Sequence, residues 1–263
     1  MTDPVLTEID GRGIATVTLN RPEVHNAFDD ATVAALTDAF SGLAADETVR
    51  VLVLTGAGRS FSAGADLNWM RAMAGYSKEE NIADAERLAN MLYALDMMPK
   101  PTVARVNGAA LGGAVGLIGA CDIAIAADRA VFGVTEVRLG LIPAVISPYV
   151  ARSIGPRHAR RFALTGERFG ADEARHIGLV HETAPEAGLD AAVEAVLSDL
   201  LAGAPGAQAD CKKLFREVWE QDRISGVVRS DTAWRIAERR GTDEAQEGMA
   251  AFFEKRKPSW ARD

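Results

Sequence analysis

Cysteine is almost absent. Cys121 and Cys211 are the only two in 263 residues, far apart and outside any Cys-x-x-Cys pair. That usage excludes a small disulfide-stapled scaffold and suits packing thiols in a reducing cytoplasm. A basic excess is missing too. The 29 Lys and Arg are outnumbered by 37 Asp and Glu, a net charge of −8, which argues against a general nucleic-acid binder. Nor is there a leader-like start, because Asp3 and Glu8 stand where a signal peptide carries bases and no apolar segment follows. The longest uncharged apolar run, Ala109 to Cys121, stops at Asp122, short of the roughly 20 residues that a membrane helix needs. The expected location is the cytoplasm, with no membrane and no nucleic acid as partner.

Several chemical signatures are missing as well. His25, His158, His176 and His181 form no His-Glu-x-x-His or Cys/His ligand set, so no metal is expected. Neither Ser60 nor Ser62 sits in a Gly-x-Ser-x-Gly elbow, which disfavours a serine hydrolase. No glycine run ends in a P-loop Lys-Ser/Thr, and Gly11-Arg12-Gly13 lacks the third glycine of a dinucleotide fingerprint.

What is present is an α/β pattern. Ile14 to Leu19 alternates and is rich in β-branched residues, Val51 to Thr55 is a continuous apolar run, and both read as strands. Between them Asp29 or Asp30 can cap a helix from about Ala31 to Leu43. Ser77-Lys78-Glu79-Glu80 resembles a capping box opening a long helix that Pro99 or Pro101 ends. Thr102–Val106 and Asp122–Ala126 are further strands, with a helix starting near Gly113 between them. Beyond Val180 the pattern is helical. Alternating strands and helices indicate one α/β core over residues 1–196, and residues 197–263 read as a helical appendage.

Two glycine-rich segments carry the chemistry: Phe61-Ser62-Ala63-Gly64-Ala65-Asp66, and Asn107 to Ala114. Small residues let a carbonyl approach the backbone closely, and N–H groups aimed at one point stabilise an oxygen that gains charge. After them comes one acid, Glu136, within the apolar stretch Val131 to Val137. Burial favours the neutral form of such a carboxyl and can bring its pKa toward the range where it both accepts and donates a proton. The set reads as an oxyanion hole beside a single proton carrier. Asp66 fits a turn-fixing role, bonding backbone N–H groups.

These segments, in this order, resemble the crotonase superfamily of enoyl-CoA hydratases and isomerases. The resemblance also rests on Leu19-Asn20-Arg21-Pro22 with Asn26-Ala27, Cys121-Asp122-Ile123, Gly133 to Gly140, Leu164 to Glu167 and Phe253 to Arg256. It implies a spiral of ββα units, a C-terminal helical trimerisation region, and a homotrimer or a homohexamer of two trimers. It implies an acyl-CoA thioester as substrate and no separate cofactor. Its carbonyl oxygen would be held by the N–H groups of Ala65 and Gly113, with Glu136 moving the proton. The resemblance further assigns Arg21, Pro22, Val24 and Ala27 to the CoA nucleotide, and Ala63, Gly64, Asp66 and Leu67 to its adenine and pantetheine. Trp69 and Met70 either line the acyl pocket or pack a helix. Gly112 and Tyr149 join the substrate-binding set, Tyr149 having packing beneath Pro148 as its alternative. Lys255 and Arg256 either meet CoA phosphates of a neighbouring subunit or end a solvated helix. Asn68 stands where many relatives have a lysine.

One departure concerns mechanism. Hydratases of this family commonly carry two glutamates, and the first is here Gly116. A lone acid suits moving a proton between carbons, which raises isomerase chemistry as the alternative. Against that, Gly116 together with Ile142-Pro143-Ala144-Val145-Ile146-Ser147-Pro148-Tyr149 resembles the bacterial methylglutaconyl-CoA hydratases of leucine degradation, and their isohexenylglutaconyl-CoA relatives. The expectation is therefore hydration of a branched or carboxylated enoyl-CoA, for which Arg71 and Arg138 are the candidate basic partners. An isomerase is the enzymatic alternative, and a non-catalytic acyl-CoA-binding scaffold is the alternative of another class.

Overall fold

The computed structural model describes residues 3–219, 221 and 223–261. The chain opens with a hairpin, β1 (Val5–Ile9) antiparallel to β2 (Ile14–Leu19), followed by α1 (Asp30–Ala45) and β3 (Val51–Gly56). Asp29 caps α1 by accepting from Thr32 N. Next come β4 (Ser60–Ser62), α2 (Leu67–Met73) and α3 (Lys78–Asp96), the last opened by the expected capping box of Ser77 and Glu80. The middle of the chain runs β5 (Thr102–Val106), β6 (Ala109–Leu111), α4 (Gly113–Ala120), β7 (Ile123–Ala127), β8 (Val131–Gly133) and α5 (Ser147–Thr165). Then follow β9 (Arg168–Gly170), α6 (Ala171–His176), β10 (Glu182–Ala184) and α7 (Leu189–Ala202). Three helices close the chain: α8 (Pro205–Trp219), α9 (Gly226–Arg240) and α10 (Asp243–Glu254).

Two sheets result. The larger has the order β1-β2-β3-β5-β7-β10, parallel from β2 onward. The smaller has the order β4-β6-β8-β9, with β9 antiparallel. A strand of the large sheet is repeatedly followed by one of the small sheet and then by helix: β3-β4, β5-β6, β7-β8. This is the ββα spiral of the crotonase fold.

Strand β3 is buried throughout, and its alternation serves two cores. Leu52 and Leu54 join Val17, Leu19, Ala104 and Val106 against α1, α3 and α4, while Val51 and Val53 join Ile14, Val103 and Ile125 against α7. Helix α7 contributes Leu189, Val193, Leu197 and Leu201 to that second core. The expected boundary between residues 196 and 197 thus falls inside a helix that packs on the sheet. The change to outer helices comes at Gly203-Ala204.

Candidate active site

Strands β4, β6 and β8 are parallel neighbours, so the segments leaving their C-terminal ends emerge side by side. Those segments are Ala63-Gly64-Ala65, Gly112-Gly113 and Val134-Thr135-Glu136, the three parts singled out in the sequence. The first two meet closely. Gly64 has φ +88°, and a Cβ there would lie 2.8 Å from the carbonyl oxygen of Leu111, so glycine is required on both counts.

Phe28 sets the first donor. Its N–H donates to Gly64 O at 2.7 Å, and its carbonyl accepts from Asp66 N at 2.7 Å, forming an isolated parallel bridge opposite Ala65. Successive peptide groups of an extended segment face opposite edges. The N–H of Ala65 therefore points away from Phe28, and among the described residues it has no acceptor. Asp66 stabilises the next step of the chain. Its Oδ1 accepts from Asn68 N and Trp69 N to cap α2, and its Oδ2 accepts from Arg21 Nη2 at 3.0 Å. Burial works against ionisation, yet these backbone donors and the Arg21 guanidinium hold the carboxyl below its ordinary range.

The second donor is Gly113, the first residue of α4, whose N–H can have no intrahelical partner. Gly112 precedes it at φ +54° and donates its own N–H to Gly133 O at 2.8 Å, tying β6 to β8 at the site. A Cβ on Gly113 would lie 3.1 Å from Cε2 of Phe28. Phe28, 1 % exposed, thus pins Ala65 through its backbone and supports Gly113 through its ring. Sequence reading missed this residue. Its only local signal, an apolar side chain just before the Asp29 cap, reads as a hydrophobic staple for α1.

Glu136 begins a short 3-10 turn, Glu136–Leu139, closed by Gly140 in the left-handed conformation. Its carboxylate stands over Gly112, where a Cβ would lie 3.4 Å from Oε1. Oε2 is buried without a hydrogen-bond partner among the described residues. Burial pushes the Glu136 pKa above the ordinary carboxylate range, opposed only in part by its own and the Thr135 backbone N–H. Arg138 does not pair with it, since its Nε donates to Gly166 O at 2.8 Å.

Gly116 is not an open position. A Cβ there would lie 2.4 Å from Cγ2 and 2.8 Å from Cβ of Ile146, with Leu92 Cδ1 at 3.5 Å. Ile146, which precedes α5, occupies the room beside the first turns of α4, leaving an apolar wall where an acid would stand.

The remaining expected positions divide in two. The segment Arg21 to Ala27 runs against the first glycine loop: Ala63 N donates to His25 O at 2.9 Å, and Arg21 also binds Ala27 O and Asp29 Oδ2, both at 2.8 Å. Val24 is half-buried in the 3-10 turn Pro22–Val24, and Leu67 is exposed beside the loop. Trp69 is buried in the main core, with Met70 half-buried beside it. Tyr149 lies further off. Its backbone packs on Gly119, near the end of α4, and its ring meets Arg152. Burial and the nearby Asp96 raise its pKa. Arg71 donates to Asn68 Oδ1 at 3.0 Å, and Arg256 is paired with Glu247 and Glu254.

Two backbone N–H groups without an acceptor among the described residues, on the small residues Ala65 and Gly113, one of them at a helix N-terminus, thus accompany a buried carboxyl with a raised pKa, a set of parts that could stabilise a developing oxyanion. The family model described as enoyl-CoA hydratase/isomerase matches residues 10–263. The solved structure of an enoyl-CoA hydratase from Shewanella pealeana is 44% identical, with a TM-score of 0.94, over 98% of this chain and 96% of that one. An enoyl-CoA hydratase structure from Mycobacterium smegmatis is 36% identical, with a TM-score of 0.92, over 98% and 99%. A Thermus thermophilus protein provisionally named an enoyl-CoA hydratase is 34% identical over 96% of this chain and 99% of its own length. The chain belongs to the enoyl-CoA hydratase/isomerase family.

Proposed function

We propose that the protein hydrates α,β-unsaturated acyl-CoA thioesters with Glu136 as the one proton carrier. The observation that carries this reading is the Glu136 carboxyl itself, with a raised pKa and a buried, unpartnered Oε2 beside the start of α4. The thioester oxygen accepts from the N–H groups of Ala65 and Gly113, which withdraws density from the double bond and stabilises an enolate. Water attacks Cβ and gives its proton to the carboxylate. The same carboxyl then delivers a proton to Cα, so that H and OH have added across the double bond and Glu136 is again ionised. The balance needs no metal and no redox cofactor; coenzyme A belongs to the substrate.

The CoA moiety lies along Arg21, Val24 and Ala27 and the adjoining Ala63 to Leu67, a placement supported by the hydrogen-bonded alignment of these two segments. The acyl group is branched or carboxylated, as in methylglutaconyl-CoA of leucine degradation, a reading that rests on the resemblance carried by Gly116 together with Ile142 to Tyr149. The working assembly is a homotrimer or a pair of trimers in the cytoplasm.

One observation favours a second reading, isomerisation of a β,γ-enoyl-CoA. The apolar contact of Ile146 at Gly116 leaves Glu136 without a second acid to hold water. Incubation with α,β- and β,γ-enoyl-CoA in heavy-oxygen water separates the two. Hydration puts the label into a 3-hydroxyacyl-CoA, whereas double-bond migration without label from every substrate would reject it in favour of the isomerase.

A further inference from the structure

Helix α5 is bent at Gly155, which has φ +73° and is followed by Pro156. The bend turns both halves of the helix toward one cavity of about 230 Å³. Ile146 and Val150 line it from before the bend, Ala159 and Ala163 from after it, and Val134 from the strand side. Two of these residues lie close to the candidate site in the fold or along the chain. Ile146 is the residue in contact with Gly116 on α4, and Val134 is two positions before Glu136. Ile146 thus separates the first turns of α4 from this cavity, whose lining is mostly apolar.

Its lining contains a single charged residue, Arg160. Arg138 is engaged with Gly166 O, Arg152 with Asp96, and Arg161 with Glu167 and Glu173, while Arg157, also without such a partner among the described residues, does not line the cavity. Arg160 has no ion pair or hydrogen bond among the described residues, and it is exposed at the cavity edge. A guanidinium free to use its planar fork, beside walls that shed water, matches a short apolar group ending in a carboxylate.

Resting on the acyl-CoA reading above, we propose that this cavity receives the distal end of the acyl group and that Arg160 binds a carboxylate carried there. The volume suits a short tail; a long fatty chain would overrun it, since pockets for larger ligands run to about 300–1,000 Å³. Arg160 is then a specificity-determining residue, remote from the proton transfer at Glu136.

The test uses saturated thioesters that cannot be turned over. Glutaryl-CoA and pentanoyl-CoA match in chain length and differ in the terminal carboxylate. Calorimetry on the purified protein should give glutaryl-CoA the tighter binding by about tenfold or more, the worth of a charge-assisted hydrogen bond. Arg160→Met should abolish that preference while leaving pentanoyl-CoA affinity unchanged, and Arg160→Lys should keep part of it. Equal affinities in the unaltered protein would overturn the proposal, as would an Arg160→Met variant that retains the preference or weakens both ligands alike. Because neither ligand reacts, a retained preference without hydration of any enoyl-CoA would reject the hydratase reading and leave this subsite standing. The reverse result would reject the subsite alone.

Discussion

At the scale of single residues, Glu136 separates catalysis from stability. Its ionised form is costly in the fold because burial outweighs the backbone donors. Below the ordinary carboxylate range the folded and unfolded chains both bind the proton. Above it the unfolded chain releases the proton first, so stability falls as pH rises through the window up to the raised folded pKa. Glu136→Gln should then lower turnover by about 10²–10⁴-fold and leave acyl-CoA binding intact. It should also raise the melting temperature at neutral pH, a gain that disappears on acidification. Steady-state rates, calorimetric binding and melting curves at several pH values check this. Near-normal turnover would remove Glu136 from the chemistry, and an unchanged melting temperature at neutral pH would remove the burial argument. Phe28 makes a contrasting case, because it touches no reacting atom. Phe28→Leu keeps the backbone bridge to Ala65 and withdraws the ring from Gly113. The expected result is a fall in kcat larger than the change in KM, with circular dichroism unchanged; equal effects on both would assign Phe28 to binding or packing alone.

At the scale of elements, the contact of α4 with the start of α5 replaces a functional position. Gly116→Glu drives a Cβ to within 2.4 Å of Ile146, an overpacking that costs about 1–3 kcal/mol. Ile146→Ala removes a buried side chain and costs about 2–5 kcal/mol. The two should not add: the double variant should be more stable than the sum of the single losses, because each change supplies what the other lacks. Denaturant unfolding of all four proteins measures the coupling, and strict additivity would show that the two positions do not compete for room. This contact was not legible in the sequence, where Gly116 and Ile146 are thirty residues apart and nothing in their spacing pairs them. The long elements were legible. Helices α1 and α3 carry both their caps and their apolar stripe in local sequence, and β2 and β3 are long enough to alternate or to run apolar. Strands β4, β6 and β8 are three residues each, too short for a period, and they exist because each pairs with a distant neighbour. That is why the glycine loops could be named from their composition, while their alignment at one end of one sheet, and the part of Phe28, could not.

At the scale of the whole molecule, the C-terminal helices raise a question of solvation. Arg50 is buried, with Nη1 donating to Trp260 O at 2.9 Å and Nη2 to Gly203 O at 2.8 Å, so both ends of the outer region are fastened to the core. Yet α8, α9 and α10 turn large apolar side chains outward. Phe252 and Phe253 are 79% and 78% exposed, edge to face with ring centroids 5.8 Å apart, and Phe215, Val227 and Trp234 are exposed as well. Soluble monomers rarely leave contiguous apolar patches of that kind open, and an interface that covers them would be the more apolar, obligate type. The net charge of −8 opposes nonspecific clustering, and an interface between identical chains closes most often as a symmetric ring or dimer. The protein should therefore scatter light as a trimer, or as a hexamer, at micromolar concentration. Replacing Phe252 and Phe253 together by Glu should lower the mass toward the monomer while preserving helix content, since both side chains lie outside the core. A monomeric mass for the unaltered chain, or an unchanged assembly in the double variant, would move the interface away from α10.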